Sequence, residues 1–209
     1  MKVLIVAATE GEIIPPPTSP KEDVTSLITG VGMVAATYAL TRHLQYNKYD
    51  LVLQVGVAGS FNPDIPIGSV VFITADQIAD LGAEDHDKYL DIFEMGLAGR
   101  NSVPYTNGSL LTPMLPVHEK IMLPHVKGIT VNTVSGNEPT IRKRAEKYGA
   151  DVESMEGAAF HLVCLQENVS FAQVRAISNY VTPRDKSQWK MKEAVVNLNS
   201  WLTGFINTL

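Results

Sequence analysis

Residues 2–8 read KVLIVAA, a β-branched apolar run that closes on small residues. A run with no polar face suits a strand covered on both sides, the situation of a parallel sheet flanked by helices. Residues 51–55 repeat the pattern, and 69–74 and 171–178 read as further strands. Shorter strands are predicted over 25–28, 128–134 and 152–155. Between them stand segments with helical spacing. In 33–45 that spacing is carried by Val34, Tyr38 and Leu44, and helices are also expected over 141–148, 157–167 and 189–207. The alternation predicts a three-layer α/β/α sandwich around a central mixed, mostly parallel sheet. At 209 residues, with no repeat or low-complexity linker, the chain reads as a single domain over 1–209.

Several stretches resist regular structure. Pro15, Pro16, Pro17 and Pro20 preclude an ordinary helix, so the segment to about Glu22 reads as a loop or an edge. The run GVAGSF after residue 55 looks glycine-broken, and residues 76–113 read as long loops with one helical turn. Hydrophobic residues make up 45% and charged residues 19%, which excludes a disordered chain, and no run is long enough to span a bilayer. The start lacks the apolar region and cleavage site of a secretory signal, so the cytoplasm is expected. Cys164 is the single cysteine; it forms no internal disulfide, and no Cys/His spacing suggests a metal or a redox cofactor. A net charge of -5 argues against a nucleic-acid partner and leaves a small molecule.

In sheets of this kind ligands gather at the carboxyl ends of strands. Four such places carry informative polar groups: Glu10 and Glu12, the VSGN run ending at Asn137, Met155 with Glu156, and Ser178 with Asn179. Taken singly, Glu12 also reads as a solvated loop acid, Glu156 as a helix N-terminal charge, and Asn179 as a turn former. Together they converge. Residues 30–35, GVGMVA, fit the dinucleotide fingerprint G-x-G-x-x-A. The ribose-binding acid should then end the next strand, yet Asp50 precedes it, so a nicotinamide enzyme is rejected. The glycines read instead as backbone close to a ligand or as a tight packing turn.

The set ATEGE, GVG, QVGVAGSF, VSGN, ESMEGAAF and VRAISN resembles the purine nucleoside phosphorylase and nucleosidase superfamily over nearly the whole chain. Within it the chain is most similar to the hydrolytic branch of methylthioadenosine/adenosylhomocysteine nucleosidases, and more so to the futalosine hydrolases, whose closing motif ISNYVTPRDKSQW resembles. The resemblance implies that Glu12 activates water, that Met155 and Glu156 hold ribose, and that Arg175 and Asn179 complete the base end. Val57, Ala58 and Gly59 of QVGVAGSF, and Pro139, are implied to line the substrate. A homodimer or larger homo-oligomer is the family habit.

The chemistry fits these roles. Cleaving an N-glycosidic bond builds positive charge on the sugar and negative charge on the purine, so both ends need attention. Gln54 stands where a phosphorylase typically has an arginine, and Glu12 would repel phosphate, which favours hydrolysis. In the adenine-cleaving relatives the residue after IS is an aspartate, whereas here it is Asn179. A 6-oxopurine presents two adjacent acceptors, O6 and N7, that an amide NH2 can meet, so Asn179 permits hypoxanthine without excluding adenine. Pro139 replaces a base-stacking aromatic. Futalosine carries a carboxylated tail for which Arg184 or Lys186 are candidate partners, a solvated loop being the alternative. Trp189 reads either as a cap on that pocket or as a helix core position.

Overall fold

The computed structural model describes residues 1–13 and 23–209; the prolines at 15–17 and 20 lie outside the described residues. Among the described residues, ten strands and four α-helices follow in chain order: β1 (Lys2–Ala7), β2 (Asp23–Ile28), α1 (Met33–Tyr46), β3 (Leu51–Ser60), β4 (Val70–Ile78), β5 (Gly82–Asp85), β6 (Lys88–Asp91), β7 (Leu110–Leu111), β8 (His125–Thr130), α2 (Glu138–Tyr148), β9 (Val152–Ser154), α3 (Gly157–Gln166), β10 (Phe171–Tyr180) and α4 (Met191–Ile206).

Strand alternation explains why β1 is apolar throughout. Val3, Ile5 and Ala7 face one way, into a core shared with Ala194, Leu198 and Leu202 of α4. Leu4 and Val6 face the other way, against Leu40 and Leu44 of α1 and Phe160 and Val163 of α3. The sheet is thus the middle of three layers. Its strands β2, β1, β3 and β10 are mutually parallel neighbours. Beyond them β4 runs antiparallel to β10 and parallel to β8, β8 is parallel to β9, and β9 returns antiparallel to β3. The pairing β3–β10–β4–β8–β9 therefore closes on itself, so this part of the sheet curls into a barrel-like cup. Because β1, β3 and β10 point the same way, their carboxyl ends share one rim.

Four expectations are corrected. Val34 is 82% and Tyr38 66% exposed; the buried stripe of α1 is Ala36, Leu40 and Leu44, an i, i+4, i+8 line whose small first member lets α1 approach α3. GVAGSF does not break β3, which continues to Ser60; its glycines stand where side chains of β10 cross over the strand. The middle segment is more ordered than its composition suggests. β4 extends to Ile78, β5 and β6 form a hairpin, and β7 pairs with β4. These strands of two to four residues are too short to show a period. Trp189 lies ahead of α4, half-buried, so it is not a helix core position.

Candidate active site

Glu12 closes a single 3-10 turn, Glu10–Glu12, that follows β1. Its Oε2 accepts from the Thr9 amide at 2.9 Å and the Thr9 hydroxyl at 3.3 Å, and its Oε1 accepts from the Val57 amide at 3.3 Å. Asn199 of α4 holds the turn from below, its Nδ2 donating to the Glu12 carbonyl at 2.9 Å and to Val195 O at 2.8 Å. The Thr-x-x-Glu spacing is a helix-start pattern visible in sequence. Asn199 lies 187 residues away and left no such signal.

Arg175 is almost fully buried, at 1% exposure, and pairs in register with Gly56 across β10 and β3. The glycine is required: a Cβ there would strike Arg175 Nη1 and lie 2.8 Å from Glu12 Oε1. The guanidinium and the Glu12 carboxylate thus share the space above one glycine. Arg175 Nη1 stands 3.7 Å from Glu156 Oε2, while Glu156 Oε1 accepts from the Gly32 amide at 2.9 Å. Gly32 has φ +92°, a conformation side chains resist, so the GVG turn serves to aim an amide at this carboxylate. Met155, half-exposed, directly precedes it.

Arg175 was expected at the base end. The structure places it with Glu12 and Glu156 instead, because residues 175 and 179 share a strand and lie about 13 Å apart along it. One of its donors, Nη2, has no protein partner among the described residues.

Behind Arg175 lies a buried polar layer that sequence reading missed. Gln173 accepts from Arg175 Nε at 3.2 Å and donates to Asp76 Oδ2 at 3.2 Å and His161 Nε2 at 2.7 Å. Thr130 donates to Asp76 Oδ1 at 2.9 Å and accepts from the Ala158 amide at 2.7 Å. His161 Nδ1 pairs with Leu110 O at 2.9 Å, so its Nε2 is the accepting nitrogen. Burial pushes Asp76 up to about 6, against hydrogen bonds and the nearby arginine, and pushes His161 down to about 4.

At the other end, Asn179 stands opposite Gly59, and its Nδ2 would lie 3.2 Å from a Cβ at that position. Its Oδ1 accepts from Ser178 Oγ at 2.8 Å, and its Nδ2 donates to Tyr180 O at 2.9 Å. Ser178 Oγ also reaches the Ala58 carbonyl at 3.3 Å. A cavity beside Asn179 is bounded by Gly59, Ser135, Glu153, Arg184 and Trp189. Glu153, another residue the sequence did not single out, accepts from the Ser135 amide and hydroxyl, both at 2.7 Å, and from Arg144 at 3.1 Å. It clamps the VSGN loop to β9. Asn137 is occupied as the N-cap of α2, accepting from Thr140 N at 3.0 Å. Pro139 is exposed in the first turn of that helix, away from the cavity lining.

Residues 17–207 match the phosphorylase superfamily. The chain belongs to that superfamily. It is 33% identical to futalosine hydrolase of Thermus thermophilus over 81% of its own length and 75% of the relative's. It is 32% identical to futalosine hydrolase of Streptomyces coelicolor, over 74% of its own length and 64% of the relative's. In fold it is similar to 5′-methylthioadenosine/S-adenosylhomocysteine nucleosidase of Helicobacter pylori, with a TM-score of 0.81 and 18% identity, all of this chain and 98% of that one being covered. Within the superfamily the chain is a nucleosidase, an enzyme that hydrolyses N-glycosidic bonds.

Proposed function

We propose that this enzyme hydrolyses futalosine, a small-molecule nucleoside, to hypoxanthine and dehypoxanthinyl futalosine, a step of menaquinone synthesis. The observation that carries the reading is the pairing of an acidic water site with an amide at the base end: Glu12 and Arg175 meet over Gly56, and Asn179 stands opposite Gly59. The names of the relatives at 33% and 32% identity support the substrate. A cytoplasmic location and a homo-oligomer belong to the same reading.

The residues divide the work. Glu156 keeps lone pairs free for the ribose hydroxyls after meeting Gly32 and Arg175. Glu12 orients a water and takes its proton as the oxygen bonds to C1′ and the C1′–N9 bond breaks. The bond's electron pair leaves with the purine. Arg175 Nη2 is a further donor near that water. A phosphate in the same place would face the Glu12 carboxylate.

Purified enzyme given futalosine, inosine, methylthioadenosine and adenosylhomocysteine, with and without phosphate, should release hypoxanthine from futalosine without phosphate. Strict phosphate dependence, or much faster cleavage of methylthioadenosine, would defeat the proposal. Glu12→Gln should keep substrate binding and lose about 1,000-fold in kcat, measured by single-turnover kinetics; unchanged turnover would move the role to Glu10.

A further inference from the structure

The departing purine needs more than Asn179 supplies. As the C1′–N9 bond breaks, its electron pair spreads through a 6-oxopurine onto N7 and O6, and both atoms want donors. One N–H of Asn179 is committed to Tyr180 O at 2.9 Å, and its Oδ1 is held by the Ser178 hydroxyl at 2.8 Å. A single N–H remains for two acceptors.

Arg184 borders the same cavity. Its amide donates to Gly136 O at 3.1 Å, and its stem lies against Gly136, where a Cβ would stand 3.5 Å from Arg184 Cβ. The guanidinium lies over the Trp189 ring, 5.2 Å from its centroid, a cation–π contact that holds it beside the cavity. The adjacent acid does not neutralise it. Asp185 accepts from the Ser187 amide at 3.0 Å and hydroxyl at 2.7 Å, and from Gln188 Nε2 at 3.0 Å. No ion pair of Arg184 occurs among the described residues.

We propose that Arg184 is the second base-end donor: it hydrogen-bonds O6 of the leaving 6-oxopurine and stabilises the negative charge that develops there. The inference rests on the 6-oxopurine reading above. It also moves Arg184 from the nucleoside tail, where sequence suggested it, to the base. The guanidinium stays protonated throughout, and the purine takes its proton from solvent after the bond has broken. A 6-amino purine offers a donor where O6 would be, so the same cation disfavours it. Asn179 cannot give up a proton as a carboxylic acid can, and a fixed charge answers that deficit.

The test compares futalosine with its 6-amino counterpart, which carries the same tail. Wild type, Arg184→Ala and Arg184→Lys are assayed for kcat and KM after thermal melting confirms folding. Arg184→Ala should lose about 100-fold in kcat on futalosine and little on the 6-amino compound, with Arg184→Lys between. Equal losses on both substrates would assign Arg184 to the tail or to the loop and overturn the inference, as would no loss at all. A wild type that prefers the 6-oxo substrate, with an unchanged preference in Arg184→Ala, would overturn the inference alone. A wild type that cleaves only the 6-amino compound would overturn the substrate reading as well.

Discussion

At position 179 an amide and a carboxyl group differ in what they present to the purine edge. The Tyr180 carbonyl fixes which way the amide points, because it can only accept and so takes Nδ2 at 2.9 Å, which leaves Oδ1 to the Ser178 hydroxyl. The NH2 is thereby turned toward Tyr180 O and the cavity. Asn179→Asp keeps the shape and replaces the donor with an oxygen that meets N7 only when protonated. The expected outcome is a shift of preference toward 6-amino purine nucleosides by about 10- to 100-fold, read as the ratio of kcat/KM on futalosine and its 6-amino counterpart. An unchanged ratio would remove Asn179 from base selection. Glu12 and Glu156 were legible because each follows a strand that its own residues announce, and Asn179 because it stands near the end of one, within β10 and not after it. Glu153, Asp76 and Asn199 were not, since their partners come from distant segments and each residue alone reads as an ordinary polar side chain.

At the scale of elements, the glycines tell most about why the site forms. Gly56 admits Arg175 and Gly59 admits Asn179, so β3 runs on through a segment whose composition reads as a break. Gly157, the first residue of α3, is the third case. A Cβ there would collide with the Asp76 carboxylate and the Gln173 amide, both of which are buried and hydrogen-bonded. The helix therefore begins on a glycine so that its first turn can rest on the polar layer. Gly157→Ala should cost about 1–3 kcal/mol of stability by overpacking, seen as a lowered urea midpoint with the slope unchanged. Full stability in this variant would mean that α3 can withdraw from the layer at little cost. The helices expected over 141–148 and 189–207 form as α2 and α4, with their starts moved to Glu138 and Met191. The face of α1 was misread at two of three positions, because Val34 and Tyr38 are apolar yet exposed, whereas Ala36, Leu40 and Leu44 are buried.

For the whole molecule, the closing of β3, β10, β4, β8 and β9 into a cup explains how Asp76 of β4 and Gln173 of β10 come together beneath His161 of α3. The apolar runs make the central strands predictable, but nothing in them specifies that β9 returns to β3. The cup and α3 place two ionisable groups in one buried layer, and their shifts oppose each other. Asp76, raised from 3.8 to about 6, holds its proton in the folded state while the unfolded chain has lost it. Its contribution is therefore present at low pH and lost as pH rises through about 6. His161, lowered from 6.5 to about 4, stays neutral while the unfolded chain takes up a proton, so its contribution is present above 6.5 and lost as pH falls toward 4. Over the shared window the two largely offset, and the protein's stability should vary little from this layer. Asp76→Asn removes one side of that balance. Its stability relative to wild type should rise by about 2 kcal/mol between pH 4 and pH 7, whatever the remaining carboxylates contribute, since those are common to both proteins. Urea midpoints taken across that range measure the difference directly. A difference that stays flat with pH would show that Asp76 titrates as an ordinary carboxylate, and that burial within the closed sheet does not desolvate it.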